Sequence, residues 1–187
     1  LEDFLARVDP RRQEAEALAR CGALEGLGSI PALLARITPG GWRAGQPTLF
    51  DLQAEDADDW GVEQKVAAQQ EILGVSLEAH PLELLAGRIA AAHAVSTLEA
   101  AAHPGQRVTV AGLRQISRRS RTAKGEWMLF LTLEDLDGLL DVVFFPDAYR
   151  RSRAALQNGG PWLISGTVEM DAERGEALLR AERAAPL

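Results

Sequence analysis

The chain has 187 residues, is 47% hydrophobic and carries a formal net charge of −7. That length allows one compact domain or two small ones, and the acidic balance excludes a generally basic nucleic-acid binder, so any such binding must come from a local patch. The single cysteine, Cys21, excludes a disulfide and a thiolate metal cluster, and no apolar run is long enough to span a bilayer, which predicts a cytoplasmic protein without a membrane partner.

The chain opens at Leu1, directly in a helical pattern and without Met, as a section excised from something longer would. Leu1, Phe4, Leu5 and Val8 recur at helical spacing until Pro10 stops them. A second helix spans Arg12 to Arg20 and presents Ala15, Leu18 and Ala19. It ends in CGALEGLG, whose Gly22, Gly26 and Gly28 suit C-caps and tight turns. A third helix runs from about Pro31 to Ile37. These elements form a small helical module over 1–38. Residues 39–61 are rich in Gly, Pro and acid and read as an exposed linker, and 62–104 as connecting helices: one over Val62–Ile72, then an alanine-rich one over Leu82–Ala102.

From residue 105 the pattern changes. RVTVAGLRQIS, EWMLFLTLED, GLLDVVFFP, PWLISGTVEMD and EALLRAERA read as strands, with DAYRRSRAALQN as an amphipathic helix between the third and fourth. Lys124-Gly125, Asp137-Gly138, Asn158-Gly159-Gly160 and Arg174-Gly175 punctuate them, and Asp-Gly between apolar runs is a hairpin signal because both central turn positions need positive φ. Five strands with a helix between strands three and four is the order of the OB-fold, a barrel that binds oligonucleotides on strands two and three and in its loops. The fold class is therefore α+β: a helical module, a linker with helices, and a five-stranded OB barrel over 105–187.

No acidic residue occurs between Arg107 and Gly125, and the loop after the first strand, SRRSRTAKG, carries Arg118, Arg119, Arg121 and Lys124, with Arg114 just upstream. Alternation on the second and third strands assigns Leu129, Leu131, Leu133, Leu140, Val142 and Phe144 to the interior. It leaves Met128, Phe130, Val143 and Phe145 as an outer apolar strip beside that loop. Bases stacked on Phe130 with phosphates tracked by arginines would be the chemistry of a single-strand binder; the alternative is that the strip is covered by the 83–102 helix or by another domain. Asp141 on the same face opposes phosphate.

No catalytic constellation emerges. Glu134, Asp135 and Asp137 fall at a strand end and a turn, where Asp serves local hydrogen bonding. His80, His93 and His103 lack a carboxylate partner at ligand spacing, so no metal and no cofactor is expected.

LEDFLARVD, EALARCGALEGLG, QQEILGVSLEAHPLELL and RTAKGEWMLFLTLEDLDGLLDVVFFP occur in that order. Together they resemble the C-terminal region of the bacterial DNA polymerase III alpha subunit, replicative or error-prone, in which a helix-hairpin-helix module precedes a linker and an OB domain. The resemblance covers nearly the whole chain; Ala79–Leu82 matches its AHPL-type segment, and Thr122, Lys124 and Gly125 match its threonine–lysine–glycine turn. It departs after Gly28, where the family usually carries an arginine near the helix start and this chain has Ser29-Ile30-Pro31. In a helix-hairpin-helix, Gly22, Gly26 and Gly28 would let backbone N–H groups approach duplex phosphates; otherwise they turn the chain between packed helices. Gln46-Pro47-Thr48-Leu49-Phe50 resembles the sliding-clamp-binding pentapeptide. Gln46 would enter a polar subsite and Leu49 and Phe50 an apolar cleft, unless both staple the linker to the chain's own core. The resemblance implies a non-catalytic tail that binds single-stranded DNA, the sliding clamp and other polymerase domains. The alternatives are a tRNA-anticodon-binding OB domain of a synthetase and a structural, protein-binding OB domain.

Overall fold

A computed structural model describes residues 1–37, 58–172 and 175–187. Gln46, Leu49 and Phe50 lie outside the described residues. Two compact units are present, Leu1–Pro81 and Leu82–Leu187. The stretch read as connecting helices is thus divided between them.

In the first unit α1 (Glu2–Val8), α2 (Arg12–Arg20) and α3 (Ile30–Ile37) are followed by α4 (Val62–Leu73). Asp9 ends α1 in the left-handed conformation with its N–H donating to Leu5 O, and Pro10 prevents continuation. The Glu14 carboxylate accepts from the Arg11 N–H, satisfying one of the free donors at the start of α2. Leu5, Ala15, Ala19, Leu24, Leu33 and Ile37 form the core of this unit.

Helix α4 joins it through buried Gln69. Its Nε2 donates to Cys21 O, and its Oε1 accepts from the Leu77 N–H at 2.7 Å. Every polar atom of that amide is satisfied, as a buried amide requires, and the glycine turn is thereby fastened to the chain beyond α4.

The second unit does not open with the continuous helix expected over 82–102. A 3₁₀ turn (Glu83–Leu85), α5 (Ala86–Ala91) and α6 (Thr97–Ala101) replace it. His93 takes φ 49°, Val95 bridges in parallel to Val110 with its N–H donating to Thr109 O, and Ser96 then caps α6 by accepting from the Glu99 N–H. High alanine content sets helix propensity, but a tertiary strand bridge overrides it here.

The barrel consists of β1 (Arg107–Arg121), β2 (Trp127–Glu134), β3 (Leu139–Phe144), β4 (Trp162–Met170) and β5 (Ala177–Pro186), with α7 (Pro146–Leu156) between β3 and β4. It closes in the order β1-β2-β3-β5-β4, with β3 and β5 parallel and the other neighbours antiparallel. This is an OB-fold barrel. The six residues assigned to its interior on β2 and β3 are all buried, alongside Val110, Trp162, Ile164, Val168 and Leu179; each such side chain contributes about 1.5–3 kcal/mol on leaving water. Helix α7 seals one end, with Ser152 Oγ accepting from the Ala184 N–H and Trp162 Nε1 donating to Ala155 O.

Closure also needs small residues. A Cβ at Gly166, where the β4–β5 register shifts, would overlap the Arg180 carbonyl oxygen, and one at Gly112 would overlap the Leu133 side chain.

The β2–β3 hairpin forms as expected but by another device. Neither Asp137 nor Gly138 has positive φ. Instead Asp135 organises the turn: its Oδ1 accepts from the N–H groups of Asp137 and Gly138, and its two oxygens also take the Thr97 hydroxyl and N–H at 2.7 and 2.6 Å. Asp135 is thus committed to structure.

Candidate nucleic-acid interface

Strand β1 is long because its two halves have different partners. Arg107–Gly112 pairs with β4, and Leu113–Arg121 pairs with β2. The segment expected to be a loop after the first strand is therefore strand through Arg121, and only residues 122–126 turn. There the Thr122 N–H donates to Glu126 O, the Gly125 N–H to Thr122 O, and Gly125 takes φ 79°. The reason lies in β2: Trp127, Met128, Leu129 and Phe130 offer β-favouring partners directly opposite Arg121, Ser120, Arg119 and Arg118. At its tip the pair is a two-stranded ribbon, since the β3 pairing begins only at Leu129.

A one-residue register shift lies between Arg114 and Ile116. Beyond it, alternation places Ile116, Arg118 and Ser120 on the outer face, and Ser117, Arg119 and Arg121 on the side continuous with the barrel interior. The basic run is thereby split. On the outer face Arg118, Phe130, Val143 and Arg180 form a ladder row across β1, β2, β3 and β5. The Arg118 guanidinium stands 5.3 Å from the centre of the half-buried Phe130 ring. On the other face Arg121 lies 4.5 Å and Arg119 5.9 Å from the Trp127 ring, which is 47% exposed. Trp127 thus joins the candidate site although the sequence reading did not single it out. Val143, placed in the outer strip, is in fact buried at 9%, so the strip exposes Phe145 and part of Met128 and Phe130.

Charge availability distinguishes these arginines. Arg107 pairs with Glu182, Arg150 with Glu126 and Asp147, and Arg180 with Glu169. Arg114, Arg118, Arg119, Arg121 and Lys124 form no ion pair among the described residues and are exposed. Asp141 accepts from the Thr132 hydroxyl at 2.8 Å, two residues along the strands from the Phe130–Val143 pair.

The first unit handles its glycines differently. Gly22, Gly26 and Gly28 take φ 87°, 86° and 144°, so each turn needs glycine. Helix α3 begins just beyond, but the Ile30 N–H donates to the Asp59 Oδ1 at 2.8 Å, and Asp59 Oδ2 pairs with Lys65 Nζ at 2.7 Å. Ser29 Oγ accepts from the Ala32 N–H. A carboxylate of the chain thus stands where a phosphate would approach this helix terminus. The Lys65 ammonium and then the Ile30 N–H hold the Asp59 carboxyl below its ordinary pKa, and Asp59 raises that of Lys65.

Barrel, α7 and the arginine–aromatic ribbon together define an OB-fold domain with an exposed basic hairpin. No protein-family model matches the chain. Curated proteins do. DNA polymerase III subunit alpha of Halalkalibacterium halodurans is 31% identical over 100% of this chain and 18% of its own length. The error-prone DNA polymerases of Pseudomonas savastanoi pv. phaseolicola and Methylococcus capsulatus are 33% and 32% identical over 97% and 91% of this chain and 18% and 16% of theirs. The chain belongs to the family of DNA polymerase III alpha subunits and error-prone DNA polymerases, and spans less than a fifth of the length of these relatives. Among solved structures, asparaginyl-tRNA synthetase from Pyrococcus horikoshii is 22% identical over 49% of this chain and 22% of its own, with a TM-score of 0.37. RecG bound to a three-way DNA junction is 23% identical over 45% of this chain and 11% of its own, also at a TM-score of 0.37. Among the described residues no helix is long and apolar enough to cross a membrane, and no group of three or more His, Cys, Asp or Glu could hold a metal ion.

Proposed function

We propose that this chain is a non-catalytic, DNA-engaging section of a bacterial replicative or error-prone polymerase, in which the β1–β2 ribbon binds single-stranded DNA. One observation carries the reading: in an acidic protein, arginines without carboxylate partners stand over Phe130 and Trp127 on a ribbon that projects from an OB barrel. Guanidinium groups track the phosphates, and the rings take the bases once the arginines shift from them, a sequence-tolerant mode of binding. The test is the salt dependence of oligothymidylate binding. Each phosphate neutralised on a single strand adds about −0.7 to the log–log slope, so the wild type shows a slope steeper than about −2. A slope near zero refutes the reading.

The pentapeptide Gln46-Pro47-Thr48-Leu49-Phe50 adds a second engagement, with the sliding clamp. The support is its spacing and the presence of two large apolar residues in a hydrophilic stretch, each costing about 1.5–3 kcal/mol to leave in water. Tethering to bound DNA raises the effective concentration of such a peptide, so modest affinity suffices for processivity. Calorimetric titration with a bacterial clamp gives heat for the wild type and none for Leu49→Ala/Phe50→Ala; equal heats from both refute it.

A further inference from the structure

Below the ribbon, on the side of Arg119, a cleft of about 390 Å³ opens between β1, β2, the start of β4 and α7. Its size falls within the roughly 300–1,000 Å³ of small-ligand sites. Leu129, Leu131 and Trp162, all members of the barrel core, form its floor, and Tyr149 and Leu156 of α7 form one wall. Arg114, Arg119 and Arg153 stand around it, and no acidic residue lines it. Neither Arg114 nor Arg153 forms an ion pair among the described residues, and the Tyr149 hydroxyl makes no hydrogen bond among them, whereas Arg150, one helical turn away from Arg153, is neutralised by two carboxylates. The exposed Gln157 adds an amide that both donates and accepts.

An apolar and aromatic wall, an amide and three cations make a set that complements one nucleotide: base, base edge and phosphate. The cleft has the barrel core as its floor, and its volume and lining match one nucleotide and not a run of them. We propose that it takes the terminal nucleotide of a single strand, with the base against Tyr149 and Leu156 and a terminal phosphate between Arg114, Arg119 and Arg153. The proposal rests on the single-strand reading of the ribbon, which delivers the end, and it adds a preference for ends that the ribbon alone lacks.

The experiment compares linear oligothymidylate bearing a 5′- or 3′-terminal phosphate with a circular oligothymidylate of equal length, which has no end, and with free thymidine monophosphate. The full chain is tested beside Arg153→Ala/Gln157→Ala, two exposed positions in the last turn and at the C-cap of α7 whose truncation leaves the barrel core intact, and beside Arg118→Ala/Phe130→Ala on the ribbon. One linear form binds the wild type at least about five-fold tighter than the circle, the scale of one stacked base. The α7 variant abolishes that difference without weakening the circle, and the Trp162 indole resonance shifts with the linear strand in the wild type only. Equal binding of linear and circular strands by the wild type overturns the end pocket, as does an α7 variant that weakens the circle as much as the linear strand. Monophosphate binding as tight as the linear strand assigns the cleft to free nucleotides and overturns it too. Loss of circle binding in the ribbon variant upholds the single-strand reading whatever the cleft does; its persistence overturns that reading separately.

Discussion

At the β1–β2 ribbon, guanidinium groups face aromatic rings and find no carboxylate, while at the start of α3 the N–H of Ile30 is met by Asp59 and Asp59 by Lys65. Both places carry the features usually associated with anion binding: clustered cations in one, a glycine turn leading to a helix terminus in the other. They differ in whether the chain has already supplied the counter-charge. A helix terminus that holds its own carboxylate has satisfied its donors and gains less from a phosphate, whereas a cation–π contact with an exposed ring is weak, about 0.5–1 kcal/mol, and yields to a stronger anion. Availability, more than the number of positive groups, separates the two regions as candidate anion-binding surfaces.

The most severe way to probe this contrast is to separate ribbon chemistry from barrel folding. Leu131→Ala removes a side chain that is 3% exposed and should cost about 2–5 kcal/mol in denaturant unfolding. Phe130→Ala, one residue away and half-buried, should cost clearly less. Equal losses would make Phe130 a structural residue and remove it from the interface.

Next in size is Arg118→Ala/Arg119→Ala/Arg121→Ala. If all three arginines neutralise phosphates, the log–log salt slope for single-strand binding should flatten by about 2. An unchanged slope would mean that the unpaired arginines are available but unused. Phe130→Ala and Trp127→Ala measured singly should each cost about 1–3 kcal/mol of binding wherever a base stacks. A loss at only one of them would say which face of the ribbon carries the strand.

The smallest effects belong to α3. Asp59→Asn removes the internal counter-charge, and if that charge is what keeps DNA away, duplex affinity should rise by less than about 1 kcal/mol, the range for a helix-terminal charge. No rise would show that the glycine turns of this unit serve folding alone. The same substitution has a pH signature. Because the folded state lowers the Asp59 pKa, its contribution to stability is present above the ordinary carboxylate range and is lost as pH falls through the lowered value. The raised Lys65 pKa makes the partner's contribution present below the ordinary lysine range and lost as pH climbs through its higher value. Thermal melts of the wild type should therefore fall off at both ends of the pH scale, and Asp59→Asn should flatten both.

Much of the barrel was legible because the interior positions of β2 and β3 recur at every second residue with Thr132, Glu134, Leu139 and Asp141 polar or exposed between them, and a period of two has one solution when one face must be buried; buried Val143 departs from that alternation. Strand order and the α7 position followed from spacing and turn residues. The split of the 82–102 helix was not legible: alanines satisfy helix propensity, and the bridge of Val95 to Val110 is a contact between distant positions that no local pattern announces. The Asp137-Gly138 pair signalled a hairpin correctly but for the wrong reason, since Asp135 does the organising and also anchors Thr97. In the site, an outer strip holding Phe130 beside a basic run was readable from composition and parity, but which arginine meets the ring was not. Trp127 beside Arg121 was not, because the basic run looked like a loop and the register shift near Gln115 was hidden. The role of Asp59 was equally invisible, since it lies 29 residues from the N–H it accepts from.

That shift near Gln115 has a consequence for variation in this chain. It works like a frame setting in a two-letter code: the residue count before it is tied to the barrel through β4, and the count after it decides which arginine meets Phe130 and which meets Trp127. Deleting the bulged Gln115 would leave each downstream pairing as it is, because Arg114 and Ile116 already face consecutive residues of β2. Deleting Ser117 beyond it, with the bulge kept, would instead carry Arg118 and Ser120 to the cleft side and Arg119 and Arg121 to the outer face. Composition, charge and strand length would stay almost the same, yet the cations and rings would be dealt into new hands. A residue lost at the bulge changes no face of the ribbon, whereas one lost just beyond it exchanges both.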